Sequence, residues 1–206
     1  MICRKSDDDS VQKCVSVLKN GGIVIIPTDT VYGFSGIVDS SAHFNTDAII
    51  RKIKGREEYK PFIQLIAAPE DIKNYTDDDI PQKLLDCWPG PLTIIVNTKK
   101  NTDFGTGTES AANTGTAENT GTIALRCPGD EWLRKIIGEC GASIYSTSVN
   151  RSGQPVLDEE NAIISEFEAE VGLIVADGDR KNSVPSTIVR VENGEYKVIR
   201  QGFIKI

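Results

Sequence analysis

The order of apolar and polar positions divides the chain into short segments of two periods. Val11, Cys14, Val15 and Leu18 recur at helical spacing after Ser6 and three aspartates, with Gly21-Gly22 beyond, which predicts a capped amphipathic helix packed on a sheet. Ile23-Val24-Ile25-Ile26 is a β-branched run stopped by Pro27, so a buried strand is expected to deliver Thr28-Asp29-Thr30-Val31-Tyr32-Gly33 to a loop. Ile49, Ile50 and Ile53 predict a helix over Asp47 to Lys54 that ends at Gly55. Further strands are expected at 61–66, 92–96, 122–127, 142–145 and 173–176, with helices at 130–140 and near 159–169 and polar helical turns near 69–74 and 81–87. Asn193-Gly194 between Ile188–Val191 and Tyr196–Ile199 is a hairpin signal, because both turn positions need a positive φ. No repeat or linker interrupts this order. One α/β domain over residues 1–206, built on a mixed sheet with helices, is the fold expected.

Residues 98–121 break the pattern. They are rich in Thr, Gly, Asn and Ala, contain Thr-Gly three times and have no apolar period, which predicts a flexible low-complexity loop. Elsewhere the composition is that of a globular protein, with 39% apolar and 26% charged residues. Neither a signal-like start nor an apolar run near the ~18 residues of a spanning helix is present, so a cytoplasmic protein without membrane contact is expected. Five scattered cysteines with no C-x-x-C pair indicate neither a disulfide framework nor a zinc site. The net charge of -7 argues against broad electrostatic binding to nucleic acid. An anionic ligand would instead meet the local cluster Arg51, Lys52, Lys54, Arg56 and Lys60, opposed only by Glu57 and Glu58.

The candidate chemistry is defined first by what is missing. There is no G-x-x-x-x-G-K-[ST], no strand-linked G-x-G-x-x-G and no kinase set, and the single histidine, His43, lies outside every candidate site. What remains are hydroxyls and a cation after apolar runs: Thr28, Thr30, Arg126, Ser146, Ser148 and Ser186. Each alone reads as a turn or cap residue. In open α/β sheets ligands bind outside the carboxyl ends of strands, so together these residues suit a ligand that carries phosphates, a carboxylate and an amine.

Six ordered motifs carry a resemblance. They are Pro27-Thr28-Asp29-Thr30-Val31-Tyr32-Gly33, Lys54-Gly55-Arg56 with Lys60-Pro61, Trp88-Pro89-Gly90-Pro91-Leu92-Thr93, Ser146 to Gly153, Pro185-Ser186-Thr187 and Arg200-Gln201-Gly202. In this the chain resembles the YrdC/TsaC/Sua family in its short single-domain form. The resemblance implies a YrdC-like twisted mixed sheet with a large cationic cleft. It also implies L-threonylcarbamoyladenylate synthase activity, a nucleotidyl transfer that joins L-threonine, bicarbonate or CO2 and ATP for threonylcarbamoyl-adenosine modification of tRNA. By the same resemblance Thr30, Arg126, Ser146 and Ser186 would bind threonine, and Lys54, Arg56, Lys60, Thr122, Ser148, Asn150 and Arg200 would bind nucleotide. Lys54 and Arg56 would be the catalytic cations. Mg2+ would arrive with ATP, with no metal site of the protein's own and no tightly bound organic cofactor. Downstream tRNA-modification transferases are the implied protein partners. Leu65 stands where some members carry a histidine near threonine. Two rivals are an RNA-binding module of the same fold, making weak tRNA or RNA contact without catalysis, and a paralogous enzyme acting on another carbamoyl or nucleotide substrate.

Overall fold

The computed structural model of the chain describes residues 1–39, 41, 43–56, 61–99 and 121–206; Lys60 and all but the ends of the loop expected at 98–121 lie outside them. The strands are β1 (Ile2–Arg4), β2 (Val24–Ile26), β3 (Gly33–Ser35), β4 (Ile63–Leu65), β5 (Leu92–Asn97), β6 (Thr122–Arg126), β7 (Ile144–Ser148), β8 (Leu173–Ala176), β9 (Thr187–Glu192) and β10 (Glu195–Arg200). They form one ten-stranded sheet in the order β1-β8-β2-β3-β7-β4-β6-β5-β9-β10. The β1/β8, β2/β8, β4/β6 and β5/β9 pairs are parallel and the other neighbours antiparallel, so the sheet is mixed. The helices are α1 (Ser10–Lys19), α2 (Thr46–Lys54), α3 (Gln82–Leu85), α4 (Glu131–Cys140) and α5 (Glu160–Phe167), with a 3-10 turn at Pro69–Asn74.

Two strands depart from the expectation. β1 is only three residues and carries too little pattern to announce itself, and Gly33, expected in a loop, opens β3. β3 forms because its backbone is paired on both edges, by β2 and β7, which outweighs the weak strand propensity of glycine.

The packing explains where the sheet stays open. On one face Val11, Cys14 and Leu18 of α1 and Leu133, Ile136 and Ile137 of α4 cover Val24, Ile26, Ile144 and Leu173. On the opposite face Ile50 and Ile53 of α2 and Ile163 and Phe167 of α5 cover Ile25, Phe34, Tyr145 and Ile174. That second face continues into a third cluster, in which Ile72, Leu84 and Trp88 cover Leu92, Ile94, Val96, Ile123, Leu125 and Val189. Along β6 the buried Ile123 and Leu125 point to this cluster, and alternation turns Thr122, Ala124 and Arg126 to the other face. Beyond β4 no helix among the described residues covers that other face: Ile63, Ala124, Ile95 and Ile188 are half-buried. Among the described residues no helix is long and apolar enough to cross a membrane.

Candidate functional site

A cleft of about 330 Å³ opens where the cover of α1 and α4 stops. Its wall draws on four loops and strand ends, and it contains Thr30, Arg126, Ser146 and Ser186 together with Arg56, Ser148 and Arg200. Three arginines and no carboxylate line it among the described residues. Of the eleven positions that the resemblance assigns to ligands, these seven meet in one space, and Thr28, the other candidate hydroxyl, lines it too. Lys54, Thr122 and Asn150 do not line it, and Lys60 lies outside the described residues.

Each side chain is held by its own local structure. Pro27 ends β2, and Thr28 Oγ1 then accepts from Thr30 N at 3.1 Å and donates to Val31 O at 2.8 Å, a hydroxyl-closed turn that fixes Thr30. Arg126, the last residue of β6, is 4% exposed. Its Nη1 donates to Thr30 Oγ1 at 3.0 Å and its Nη2 to Asp29 Oδ1, while its Nε has no hydrogen-bond partner among the described residues. Burial lowers the Arg126 pKa and the Asp29 carboxylate opposes the shift; Arg200 is close enough to add to the lowering. Ser186 Oγ lies 2.9 Å from Thr93 Oγ1, and Arg200 Nη2 donates to Ser186 O at 2.8 Å. The parallel β5/β9 pairing sets Thr93 beside this hydroxyl. Gly33 keeps Ser146 accessible, since a Cβ at position 33 would sit 3.1 Å from Ser146 Oγ.

Arg56 follows the end of α2, which Asn45 caps at its start by accepting from Ala48 N at 3.2 Å. At the other end Gly55 has φ 62°, a left-handed turn that glycine takes without steric cost. Arg56 is half-buried, donates to Thr147 Oγ1 at 3.2 Å and stacks 4.8 Å from the centroid of Phe62. The guanidinium of Arg51 also lies over the Phe62 ring, at 4.6 Å.

Lys54 and Asn150 stand behind the wall. The Lys54 ammonium donates to Asn150 Oδ1 at 2.8 Å, to Asn150 O at 3.0 Å and to Ser148 O, so three protein oxygens engage its three donors. Burial, and then the charge of Arg56, lower the Lys54 pKa to about 8. Asn150 Oδ1 also accepts from Ser148 Oγ at 2.9 Å, and its Nδ2 donates to Arg151 O and Gln154 O. Arg151 is bound to Glu166, Glu170 and Ile53 O. These residues fix the loop that presents Ser148. Thr122 is on the Arg126 face of β6 but at its other end, opposite Asn97 and roughly 13 Å along the strand. Lys60 lies outside the described residues, and Leu65 is a core residue, 1% exposed.

Sequence reasoning missed Asp29, Thr93 and Thr147. All three stand inside the quoted motifs, but as neighbours of the expected ligands, and only pairing across the fold brings them to Arg126, Ser186 and Arg56.

Residues 16–202 match the Sua5/YciO/YrdC family, whose description reads "Telomere recombination". The chain belongs to the Sua5/YciO/YrdC family. A threonylcarbamoyl-AMP synthase of Klebsiella pneumoniae is 28% identical over 202 residues, covering 94% of this chain and 96% of the relative. The threonylcarbamoyl-AMP synthase of Bacillus subtilis is 26% identical over 205 residues, covering 97% of this chain and 55% of its own length. Among solved structures, P. abyssi Sua5 complexed with L-threonine superposes with a TM-score of 0.79 at 24% identity. That match covers 98% of this chain and 57% of Sua5. The Sua5/YciO/YrdC domain thus spans nearly the whole chain, and about half the length of these longer relatives.

Proposed function

We propose that this chain is a threonylcarbamoyl-AMP synthase, a nucleotidyltransferase acting in the cytoplasm on L-threonine, bicarbonate and ATP. The observation that carries the reading is the buried Arg126 guanidinium, with an open donor edge, in one cleft with Thr30, Ser146 and Ser186 and two further arginines. A planar fork suits a carboxylate, and Thr30, Ser146 and Ser186 suit the polar atoms of an amino acid held there. Arg56 and Arg200 suit phosphate oxygens. ATP would enter with Mg2+ as its counter-ion, and the product would pass to a tRNA-modification transferase.

The reaction asks little covalent work of the protein. The threonine amine takes up bicarbonate as a carbamate with loss of water. A carbamate oxygen then attacks the α-phosphorus of ATP, the bond from that phosphorus to the α,β-bridging oxygen breaks, and pyrophosphate leaves with that oxygen. Catalysis by this chain is positioning of the two ligands and stabilisation of charge on phosphate oxygens by Arg56 and Arg200, with Lys54 holding the Ser148 loop in place. Purified protein with ATP, Mg2+, L-threonine and bicarbonate should release pyrophosphate. A rate unchanged when threonine or bicarbonate is left out would overturn the assignment, and no release at all would favour a binding module.

A further inference from the structure

Two arginines of the cleft stand in unequal electrostatic states. Arg126 is 4% exposed and donates to Asp29 Oδ1, and the other Asp29 oxygen accepts from Gly129 N at 2.8 Å. One carboxylate therefore joins the loops that follow β2 and β6 behind the cleft wall, without itself lining the cleft. Arg200 is exposed at the cleft edge, donates to Ser186 O and Oγ, and has no carboxylate partner among the described residues.

A bare guanidinium attracts an anion in proportion to the anion's charge, so a polyphosphate outcompetes a single carboxylate at it. Pairing with Asp29 brings the local charge at Arg126 to zero and removes most of that advantage. What survives is directional hydrogen bonding from the guanidinium, including the buried Nε that has no partner among the described residues, and a planar carboxylate matches it. A neutral pair also tolerates the ammonium of a zwitterion, which a bare cation repels.

We infer that Asp29 sorts the ligands of this cleft: by neutralising Arg126 it reserves the inner end for a zwitterionic amino acid and leaves phosphates to the Arg200 side. Asp29 is thus a specificity-determining residue that acts through Arg126. The inference takes the names of the two ligands from the synthase reading, but the sorting is a property of the cleft and is tested without turnover.

The probe is inorganic pyrophosphate, followed by calorimetry alone and against L-threonine. In the unaltered protein pyrophosphate and threonine should bind together without displacing one another. In Asp29→Asn, pyrophosphate should bind roughly tenfold more tightly or take up a second equivalent, and should displace threonine. Asp29→Glu, which keeps the charge, should behave as the unaltered protein does. A merely structural Asp29 predicts the opposite pattern, a lower melting temperature with both ligands weakened and no gain for pyrophosphate, and that result overturns the inference. So does competition between pyrophosphate and threonine in the unaltered protein, an arm that decides the matter even if Asp29→Asn does not fold. If pyrophosphate gains in Asp29→Asn while the unaltered protein never couples threonine to pyrophosphate release, the synthase reading fails and the sorting role stands.

Discussion

At Arg56 two demands meet in one side chain. It is half-buried in the cleft wall and faces the space where phosphates would lie, and it also stacks on Phe62 and bonds Thr147. Arg56→Ala should lose about 2 to 5 kcal/mol of transition-state stabilisation, roughly 30-fold to several thousand-fold in rate. Loss of the stacking and of hydrogen bonds that include those to Thr147 Oγ1 and Pro61 O should also cost about 1 to 2 kcal/mol of stability, more than an exposed charge would. Arg56→Lys keeps the charge without the fork and should recover part of the rate. Steady-state kinetics beside denaturant curves on both variants checks this; full activity in Arg56→Ala would sink the phosphate role. Lys54 makes a pH prediction. Its folded pKa is lowered to about 8, below the ~10.4 of a free lysine. Between those values the unfolded chain binds more protons, so this group's contribution makes stability rise with pH across that window. The Ser148 loop, by contrast, depends on the protonated ammonium and should loosen as pH passes about 8. Turnover should therefore fall above pH 8 while melting temperature does not, and a fall of both together would place the titration elsewhere.

At the level of elements, the cleft keeps its width beside Ser146 because β3 pairs with β7 at a position without a side chain. Gly33 lies opposite Ser148, and a methyl at 33 would stand 3.1 Å from Ser146 Oγ, tighter than ordinary van der Waals contact. Both residues line the cleft, so Gly33→Ala should narrow it without breaking the β3/β7 ladder. The expected result is a loss of threonine affinity of about tenfold, equivalent to ~1.4 kcal/mol, with a small change in melting temperature. Threonine titration and a melting curve test it, and unchanged affinity would show that Ser146 does not contact the ligand. The elements themselves were largely legible. α1, α2 and α4 fall where the apolar stripe predicted them, since each buries one face on the sheet, and Asn193-Gly194 closes the β9/β10 hairpin. β3 escaped notice because a strand of three residues starting at glycine owes its form to its neighbours.

For the whole molecule, the contrast is between net charge and local charge. The chain carries -7, while the cleft is lined by three arginines and no carboxylate among the described residues. Small anions can enter such a site, but a long polyanion must also lie along the acidic exterior. Binding of an unrelated RNA duplex at physiological salt should therefore be no tighter than the weak end of non-specific association, a Kd of about 10⁻⁴ M. Fluorescence anisotropy with a labelled duplex gives the answer. Micromolar, salt-sensitive binding would instead revive the RNA-binding reading of the fold.

The sequence by itself determined the class of fold, the helices and most strands, and seven of the residues that line the cleft, because hydrophobic period and ordered motifs are local properties of a chain. It also named Lys54 and Asn150, but their role depends on where β7 ends relative to α2, and in the folded chain Lys54 is engaged by Ser148 and Asn150 across some ninety residues of sequence. Asp29 beside Arg126 and Thr93 beside Ser186 are likewise decided by strand order. A hydrogen bond requires its partners within about 3 Å, and only the closing of a ten-stranded mixed sheet brings residues so distant in sequence to that distance. Which face of that sheet remains open was a tertiary decision as well, since it follows from how far α1 and α4 extend over the sheet.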